Sequence, residues 1–421
     1  YDLLIIGGGA AGFFTAANLG SNQRIIILEK ARQPLGKVRI SGGGRCNLTH
    51  ACFELRELVK HYPRGAKELL GAFTRFQPWD TMNWFESRGI PLKIEADGRV
   101  FPASDNSATI VDCLLSEAKS AGAEILCQAS VFRIDSTPLD VSGRFQVWVD
   151  QAPSHLPERN VLKLTAQNIL LATGGSSQGF NLAASLGHSI TPPVPSLITF
   201  QIHDPRLEGL SGLSMPEVSI RLHPRSGRAG YFEQSGPLLI THWGVSGPAV
   251  LKCSAWGARW LSEQEYRADL EINWLHPLSL EQALSELHAY KANPGMQRQL
   301  ILAHCPFKSL PLRLWQRLAG SALVQEGDQL ANLSKAALLR LAQAVCTGRY
   351  EITGKGMHKD EFVTCGGVRL AEVDFKTMQS RSVPGLFFAG EVLDIDGLTG
   401  GFNFQSAWTT AYLASQAINA G

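Results

Sequence analysis

The sequence predicts an α/β protein. A parallel-sheet, Rossmann-like domain is assembled from both ends of the chain and interrupted by a β-rich and then a helical insertion. Three observations carry this. The chain opens on a short apolar run, "YDLLII", followed at once by "GGGAAG" and a helix-forming stretch. Two later apolar runs, "NILLATGG" (168–175) and "GLFFAGE" (385–391), also run into glycine turns. Between them the pattern changes to short strands with Gly/Pro turns and then to helical periodicity.

Composition fits this class. The 421 residues allow two or three domains, and 44% hydrophobic with 18% charged residues is that of an ordinary globular protein. A net charge of +2 neither demands nor excludes nucleic acid. Eight cysteines without a CxxC read as reduced thiols of a cytoplasmic enzyme, not as a disulfide scaffold. No zinc-ligand spacing appears, so no metal is expected, and no run of 18 apolar residues suggests a membrane span. Nothing specifies an oligomeric state.

The first element is a buried parallel strand, "YDLLII". Gly7, Gly9 and Gly12 then give G-x-G-x-x-G at the start of a helix. Gly7 permits the tight turn, Gly9 lets backbone approach a pyrophosphate, and Gly12 lets helix and strand pack closely. The helix N-terminus faces the phosphate charge. The next strand, "RIIILEK", ends in Glu29, about 20 residues on, where a carboxylate suits the hydroxyls of an adenosine ribose. Strand, loop, helix, strand and acid occur in the order a dinucleotide site requires.

The later stretches favour FAD over NAD. Thr173 and Gly174 end one strand, and Gly390 and Glu391 end another. As in two-dinucleotide-binding flavoproteins, the acid at 391 is placed to bond a ribityl chain. The helix expected to open at Gly400, Gly401, Phe402 and Asn403 can point its N-terminus at the flavin N1–C2 carbonyl. Ala10, Ala11, Lys30 and Val131 complete the expected cofactor set. No second GxGxxG follows a strand, so NAD(P)H, the expected electron donor, would bind transiently.

The cofactor domain is expected over 1–190 and 346–421, with a β-rich subdomain at 191–277 and a helical one at 278–345. Between Ala123 and Leu171, "AEILCQASVFRIDS", "GRFQVWVD" and "NVLKLT" suggest a three-stranded meander. "TPPVPS" (191–196) is stiff and marks the exit. Pro294, Pro306 and Pro311 break the helical part.

These motifs resemble the BaiN/RdsA-like family of FAD-dependent oxidoreductases, which includes proteins called aminoacetone oxidase-like. The likeness rests on "KVRISGGGRCNLTH", "LGHSITPPVPSL", "GPLLITHWGVSGPAVL", "TCGGVRLAEVDFKTMQSR" and "GLFFAGEVLDIDGLTGGFNFQSAW" and spans nearly the whole chain. It implies an FAD enzyme that reduces carbon–carbon double bonds. The implied substrate is uridine in large-subunit ribosomal RNA, or alternatively a conjugated enone or an amine. A non-enzymatic alternative is a flavin-dependent RNA-binding or assembly factor.

The resemblance also gives the second glycine loop, "ISGGGRCNLTH", a place under the pyrophosphate and flavin ring. Gly42, Gly43 and Gly44 would bring backbone to the flavin, and Ser41 or Arg45 would meet the phosphates. Cys46 and Asn47 would lie beside the ring. Cys46 is the candidate catalytic residue, a proton donor for the reduced C=C bond. Two other readings stand beside it: a packed small residue, and half of a redox pair with Cys52. The C-x5-C spacing is one longer than the usual C-x4-C pair, which turns Cys52 by about 100° on a helix.

For RNA, the stretch from Leu287 to Gln325 contains no Asp or Glu and carries Lys291, Arg298, Lys308, Arg313, Arg317 and Trp315. Such a surface suits phosphates. "RLHPRSGR" (221–228) adds three arginines, and His242 is a further substrate candidate. A solvated helix face and a satisfied core histidine are the plainer readings.

Overall fold

The computed structural model describes residues 1–136, 144–151, 160–224, 232–356 and 363–420. The chain divides into two compact units, Tyr1–Val194 with Val363–Gly421, and Pro195–Phe362.

The first unit is built on a seven-stranded sheet. Its centre is β1 (Leu3–Ile6), every residue of which is buried. β2 (Ile25–Glu29) and the strand Glu124–Cys127 lie to one side, Asn168–Leu171 and Leu386–Phe388 to the other, all parallel. A short antiparallel pair, Val373–Asp374 and Gln379–Ser380, finishes one edge. Strands covered on both faces need unbroken apolar sequence, hence "LLII" and "IIILE". The helix α1 (Ala10–Ala17) returns over the sheet and packs on the terminal helix Phe402–Ala420. The Phe14 ring lies 5.1 Å from Trp408 and 4.6 Å from Trp84. Burying each such ring contributes about 1.5–3 kcal/mol, which holds the two ends of the chain together. The parallel strands therefore present their carboxyl ends, where ligands bind in open α/β sheets, along one edge.

The run "AEILCQASVFRIDS" is not one strand. It breaks at Gln128, whose φ of 52° is left-handed. Glu124–Cys127 joins the central sheet, while Ser130–Ser136 pairs with Phe145–Asp150 and then Val161–Ala166 in the meander. The proline-rich Ile190–Ser196 pairs with Val363–Val368.

In the second unit a seven-stranded antiparallel sheet and five helices of the described residues share one core. Val218, Ile220, Leu270, Leu287, Trp315 and Leu341 belong to the same buried cluster. The β-rich and helical stretches, expected as two subdomains at 191–277 and 278–345, thus form a single hydrophobic body. Gly348–Ile352 pairs with Ala268–Asn273 in this sheet, so the chain leaves the unit well after residue 346. The helices Leu280–Ala292, Leu312–Ser321 and Lys335–Cys346 respect the prolines: Pro294 follows the first, and Pro311 caps the second.

Candidate functional site

The first glycine loop joins β1 to α1, and its glycines have different physical reasons. Gly7 has φ of 110°, and a Cβ there would lie 2.4 Å from the Ala172 carbonyl oxygen. A Cβ at Gly12 would lie 2.1 Å from the Gly7 carbonyl oxygen and 3.1 Å from the Ile5 side chain. A Cβ at Gly9 would meet no atom within 4 Å. Gly7 and Gly12 are therefore needed by the protein itself, whereas Gly9 is a smooth wall facing open space at the helix start. Ala11 is buried under Gly390, and Ala10 is half-buried in the first turn.

Glu29 ends β2 with both oxygens engaged: Oε2 accepts from Gly8 N at 2.7 Å, and Oε1 from Ala31 N at 2.7 Å. Gly7, Glu29, Lys30, Val131 and Thr173 line one cleft. Ser176, Gln178 and Gly179 line it too and were not anticipated from the sequence. Gln178 Nε2 donates to Val131 O at 2.5 Å, fixing that wall. Thr173 Oγ1 is buried without a hydrogen-bond partner among the described residues.

The second glycine loop starts inside a helical segment, Gly36–Gly44, that breaks at Ser41. Gly42, Gly43 and Gly44 have φ of 57°, 69° and 83°, and Cys46 is also left-handed at 63°. A Cβ at Gly42 would come within 2.9 Å of both Asn47 N and the Phe101 ring, whereas Gly43 and Gly44 face open space. Ser41 turns back, its hydroxyl donating to Val38 O at 3.0 Å.

Three side chains of this loop depart from their expected roles. Arg45 does not extend toward a phosphate; its guanidinium lies 4.0 Å over the Phe101 ring and pairs with Glu95 at 2.7 Å and Asp105 at 3.5 Å. Cys46 has no exposed surface, so protein walls off its thiol on every side. Burial pushes the thiol up to about 12, against a smaller opposing effect of its hydrogen bond with Ser41. A proton donor must reach its substrate and release its proton near the working pH, and Cys46 meets neither condition. It is a packed residue. Cys46 and Cys52 are both free, so no redox disulfide is formed. Asn47, in the amide orientation that satisfies both partners, accepts from Gly401 N at 3.0 Å and donates to Thr49 O at 3.1 Å. It ties the second loop to the turn before the terminal helix.

That turn is held from several sides. Asn403 bonds Gly397 twice, accepting from its N–H and donating to its carbonyl, both at 2.8 Å. Tyr62 donates to Phe402 O at 2.7 Å. Arg64 and the fully buried Asp396 form an ion pair. A Cβ at Gly401 would lie 2.4 Å from Thr49 O. Phe402 is buried and stacks on His61 at 4.1 Å and His50 at 4.7 Å. Gly400 closes the turn with φ of 124°.

Glu391 Oε1 accepts from Thr364 N at 2.9 Å, and Oε2 from Lys37 Nζ at 2.5 Å. A Cβ at Gly174 would lie 3.6 Å from Glu391 Oε2. Lys37, missed in the sequence, sits in the first turn after Leu35, whose N–H bonds Gly8 O at 2.8 Å. The first loop, Lys37, Gly174 and Glu391 are thereby linked around one region. Its open glycine faces, buried unpartnered hydroxyl and carboxylate at the strand end fit an extended dinucleotide such as FAD.

In the second unit, His242 is exposed in the turn between Phe232–Thr241 and Gly244–Ser246, its ring 4.3 Å from Trp243. Arg298, Arg313 and Arg317 are exposed, with Arg313 and Arg317 one turn apart on one helix and Arg313 also bonded to Gly209 O. Trp315 is core, not surface: fully buried, its indole donates to Ile301 O at 2.7 Å. Arg221 pairs with Glu233 and Glu271, and Arg225 and Arg228 lie outside the described residues. No helix among the described residues is long and apolar enough to cross a membrane, and no group of three or more potential metal ligands occurs among them.

The model of the HI0933-like protein Rossmann domain matches residues 1–417. The chain belongs to the HI0933-like family. The chain is 31% identical, over 99% of its length and 97% of the relative's, to the ribosomal RNA dihydrouridine synthase of Escherichia coli (strain K12). It is 30% identical to the Haemophilus influenzae protein of the same name, over 99% and 98% of the two chains. It is 26% identical to the 3-dehydro-bile acid delta(4,6)-reductase of Clostridium scindens, over 98% of each. Among solved structures, 3-ketosteroid delta1-dehydrogenase from Sterolibacterium denitrificans aligns over 100% of this chain and 99% of its own, with a TM-score of 0.52 at 12% identity. That likeness concerns the fold. The chain thus has the FAD-binding Rossmann flavoprotein fold and is an oxidoreductase of a flavoenzyme family.

Proposed function

We propose that this protein reduces uridine to dihydrouridine in large-subunit ribosomal RNA in the cytoplasm, with NAD(P)H as electron source. The observation that carries the reading is the near end-to-end likeness, 31% and 30%, to two ribosomal RNA dihydrouridine synthases.

When bound, FAD supplies hydride transfer to an activated C=C bond. In this reading Gly9, Ala10 and Ala11 hold its phosphates at the α1 N-terminus. Glu29 keeps a second lone pair on each oxygen for ribose hydroxyls. Lys30, Val131, Thr173 and Gly174 line the adenosine side and the strand end. Glu391, beside Gly390, orients the ribityl chain. Ser41 and Gly42–Gly44 form a backbone wall for the ring, and Asn47 and Asn403 hold the Gly400–Phe402 turn against it. Arg298, Arg313 and Arg317 take RNA phosphates, and His242 is a substrate contact on the same unit. The target base must leave its stack to reach a buried cofactor. The proton comes from a group other than Cys46.

A second reading, reduction of a small enone, is supported by the 26% likeness to the bile acid reductase. The test is nucleoside mass spectrometry of large-subunit rRNA from a strain lacking the gene. Dihydrouridine should disappear and return with the wild-type gene; an unchanged level overturns the rRNA reading. Reversing Arg313 and Arg317 to Glu should weaken RNA binding and reduce the salt slope by roughly 1.4–1.8, as two lost phosphate contacts require. An unchanged slope would leave this face merely solvated.

A further inference from the structure

Beyond the glycine loops, the first unit exposes two large aromatic rings side by side. Phe53 is 43% exposed and Trp79 52%. Their centroids are 5.9 Å apart at 86°, an edge-to-face pair. Water contact on this scale is costly for two rings that could have been buried. Neither contributes to the core, and neither belongs to the cofactor site described above.

Their position is informative. Phe53 is three residues beyond His50, at most about 11 Å of extended chain. A ring carbon of His50 lies 3.6 Å from where a Cβ of Gly400 would stand. The aromatic pair therefore lies within one or two nucleotide lengths of the turn that opens the terminal helix.

The exposed charge of this segment leans positive. In 51–80, Arg56, Lys60, Lys67 and Arg75 are exposed against Glu54 and Glu57, while Arg64 is paired with Asp396 and Asp80 accepts from Gln77 N. Glu54 is used as a helix cap, accepting from Arg56 N, and Glu57 is held by Lys60. The side chains of Arg56, Lys67 and Arg75 are exposed in this segment.

We propose that Phe53 and Trp79 form a stacking platform for unpaired bases of single-stranded RNA flanking the target nucleotide. The inference rests on the rRNA reading above and adds a partner surface to it. Every base has a π face, so aromatic platforms bind single strands with little sequence preference. Neighbouring cations supply the backbone attraction. A protein partner would also suit exposed aromatics, but the excess of exposed cations over exposed acids in this segment favours a polyanion.

The experiment uses the FAD-loaded full chain and a fluorescent, uridine-containing single-stranded RNA oligonucleotide. Trp79→Ala and Phe53→Ala should each raise the Kd by roughly 5- to 150-fold. FAD content and the salt slope should stay as in wild type, because stacking releases no counterions. Trp79→Phe, which keeps a π face, should recover most of the affinity. Wild-type Kd in both Ala variants overturns the platform. So does a change in sedimentation of the variants without a change in RNA affinity, which would make the patch a protein interface. If wild type itself neither binds nor modifies RNA, the rRNA reading has failed, and the platform with it. If wild type does both and the Ala variants match it, only the platform fails.

Discussion

The two glycine loops of the first unit are alike in composition and opposite in use. In "GGGAAG" the side chains that follow are small, and the helix start itself is the feature on offer. In "SGGGRCN" the side chains that follow are large or reactive types, yet all three are taken up by other parts of the protein. Arg45 lies on Phe101 and pairs with Glu95, Cys46 is packed without exposure, and Asn47 binds Gly401. The second loop offers backbone, at Gly43 and Gly44, and spends its side chains on holding that backbone in a left-handed run. A reactive residue type beside a glycine loop is therefore no guide to chemistry until its direction is known.

The largest effects should separate the glycines that face space from those that face protein. Gly9→Leu should fold, with a melting temperature near that of wild-type apoprotein, and should lose FAD. Gly12→Leu should fail to fold, because its Cβ would start 2.1 Å from a carbonyl oxygen. Absorbance at 450 nm and circular dichroism read both. Retained FAD in folded Gly9→Leu would break the assignment of the first loop.

Next in size is the link between the second loop and the terminal helix. Asn47→Ala leaves Gly401 N and Thr49 O without this partner, a cost of about 1–3 kcal/mol. FAD affinity should fall with stability, while Asn47→Asp should keep the acceptor for Gly401 N and recover part of both. An unchanged FAD dissociation constant in Asn47→Ala would detach this loop from the cofactor.

Cys46 comes third. Cys46→Ala should leave oxidation of reduced flavin by substrate within about twofold, far from the 10²–10⁴ lost with a true acid. Its signature should be alkaline. A thiol raised from 9.0 to about 12 in the folded state is neutral there while the unfolded chain ionises. Above pH 9 the unfolded state binds fewer protons, so stability falls with pH until about pH 12. Below pH 9 the thiol contributes no slope. Urea titrations of Cys46→Ala between pH 8 and 10.5 should show a shallower decline than wild type. A rate loss of a hundredfold would restore the donor role.

The smallest effect should come from Lys37→Met. Its pair with Glu391 is 59% exposed on the lysine side, and exposed pairs are worth about 0–1 kcal/mol. Thermal stability should barely move. A tenfold loss of FAD affinity with unchanged stability would show that Lys37, not Arg45, meets the cofactor's negative charge.

Local pattern was enough for the Rossmann core and the order of its parts. Four-residue apolar runs, a glycine fingerprint and Glu29 are all short-range features, and the sheet uses them where they stand. The split at Gln128 was hidden because both halves of the run are apolar and β-forming; only pairing partners tell them apart. The β-rich and helical insertions looked like two bodies because their periodicities differ, but a shared core depends on which faces meet. Trp315 was indistinguishable in sequence from a surface aromatic among arginines, and its burial follows from which side of its helix turned inward.

By itself, then, the sequence determined the fold class, the glycines that backbone geometry demands, and the acid at the end of β2. These rest on local sterics and on periodicity within about 30 residues. Only the tertiary structure decided that Arg45 pairs with Glu95, that Cys46 is packed without exposure, that Lys37 reaches Glu391 across 354 positions, and that Asn47 meets Gly401. Side-chain direction in such a loop is set by what packs against it, and contacts between residues hundreds of positions apart leave no trace in local spacing.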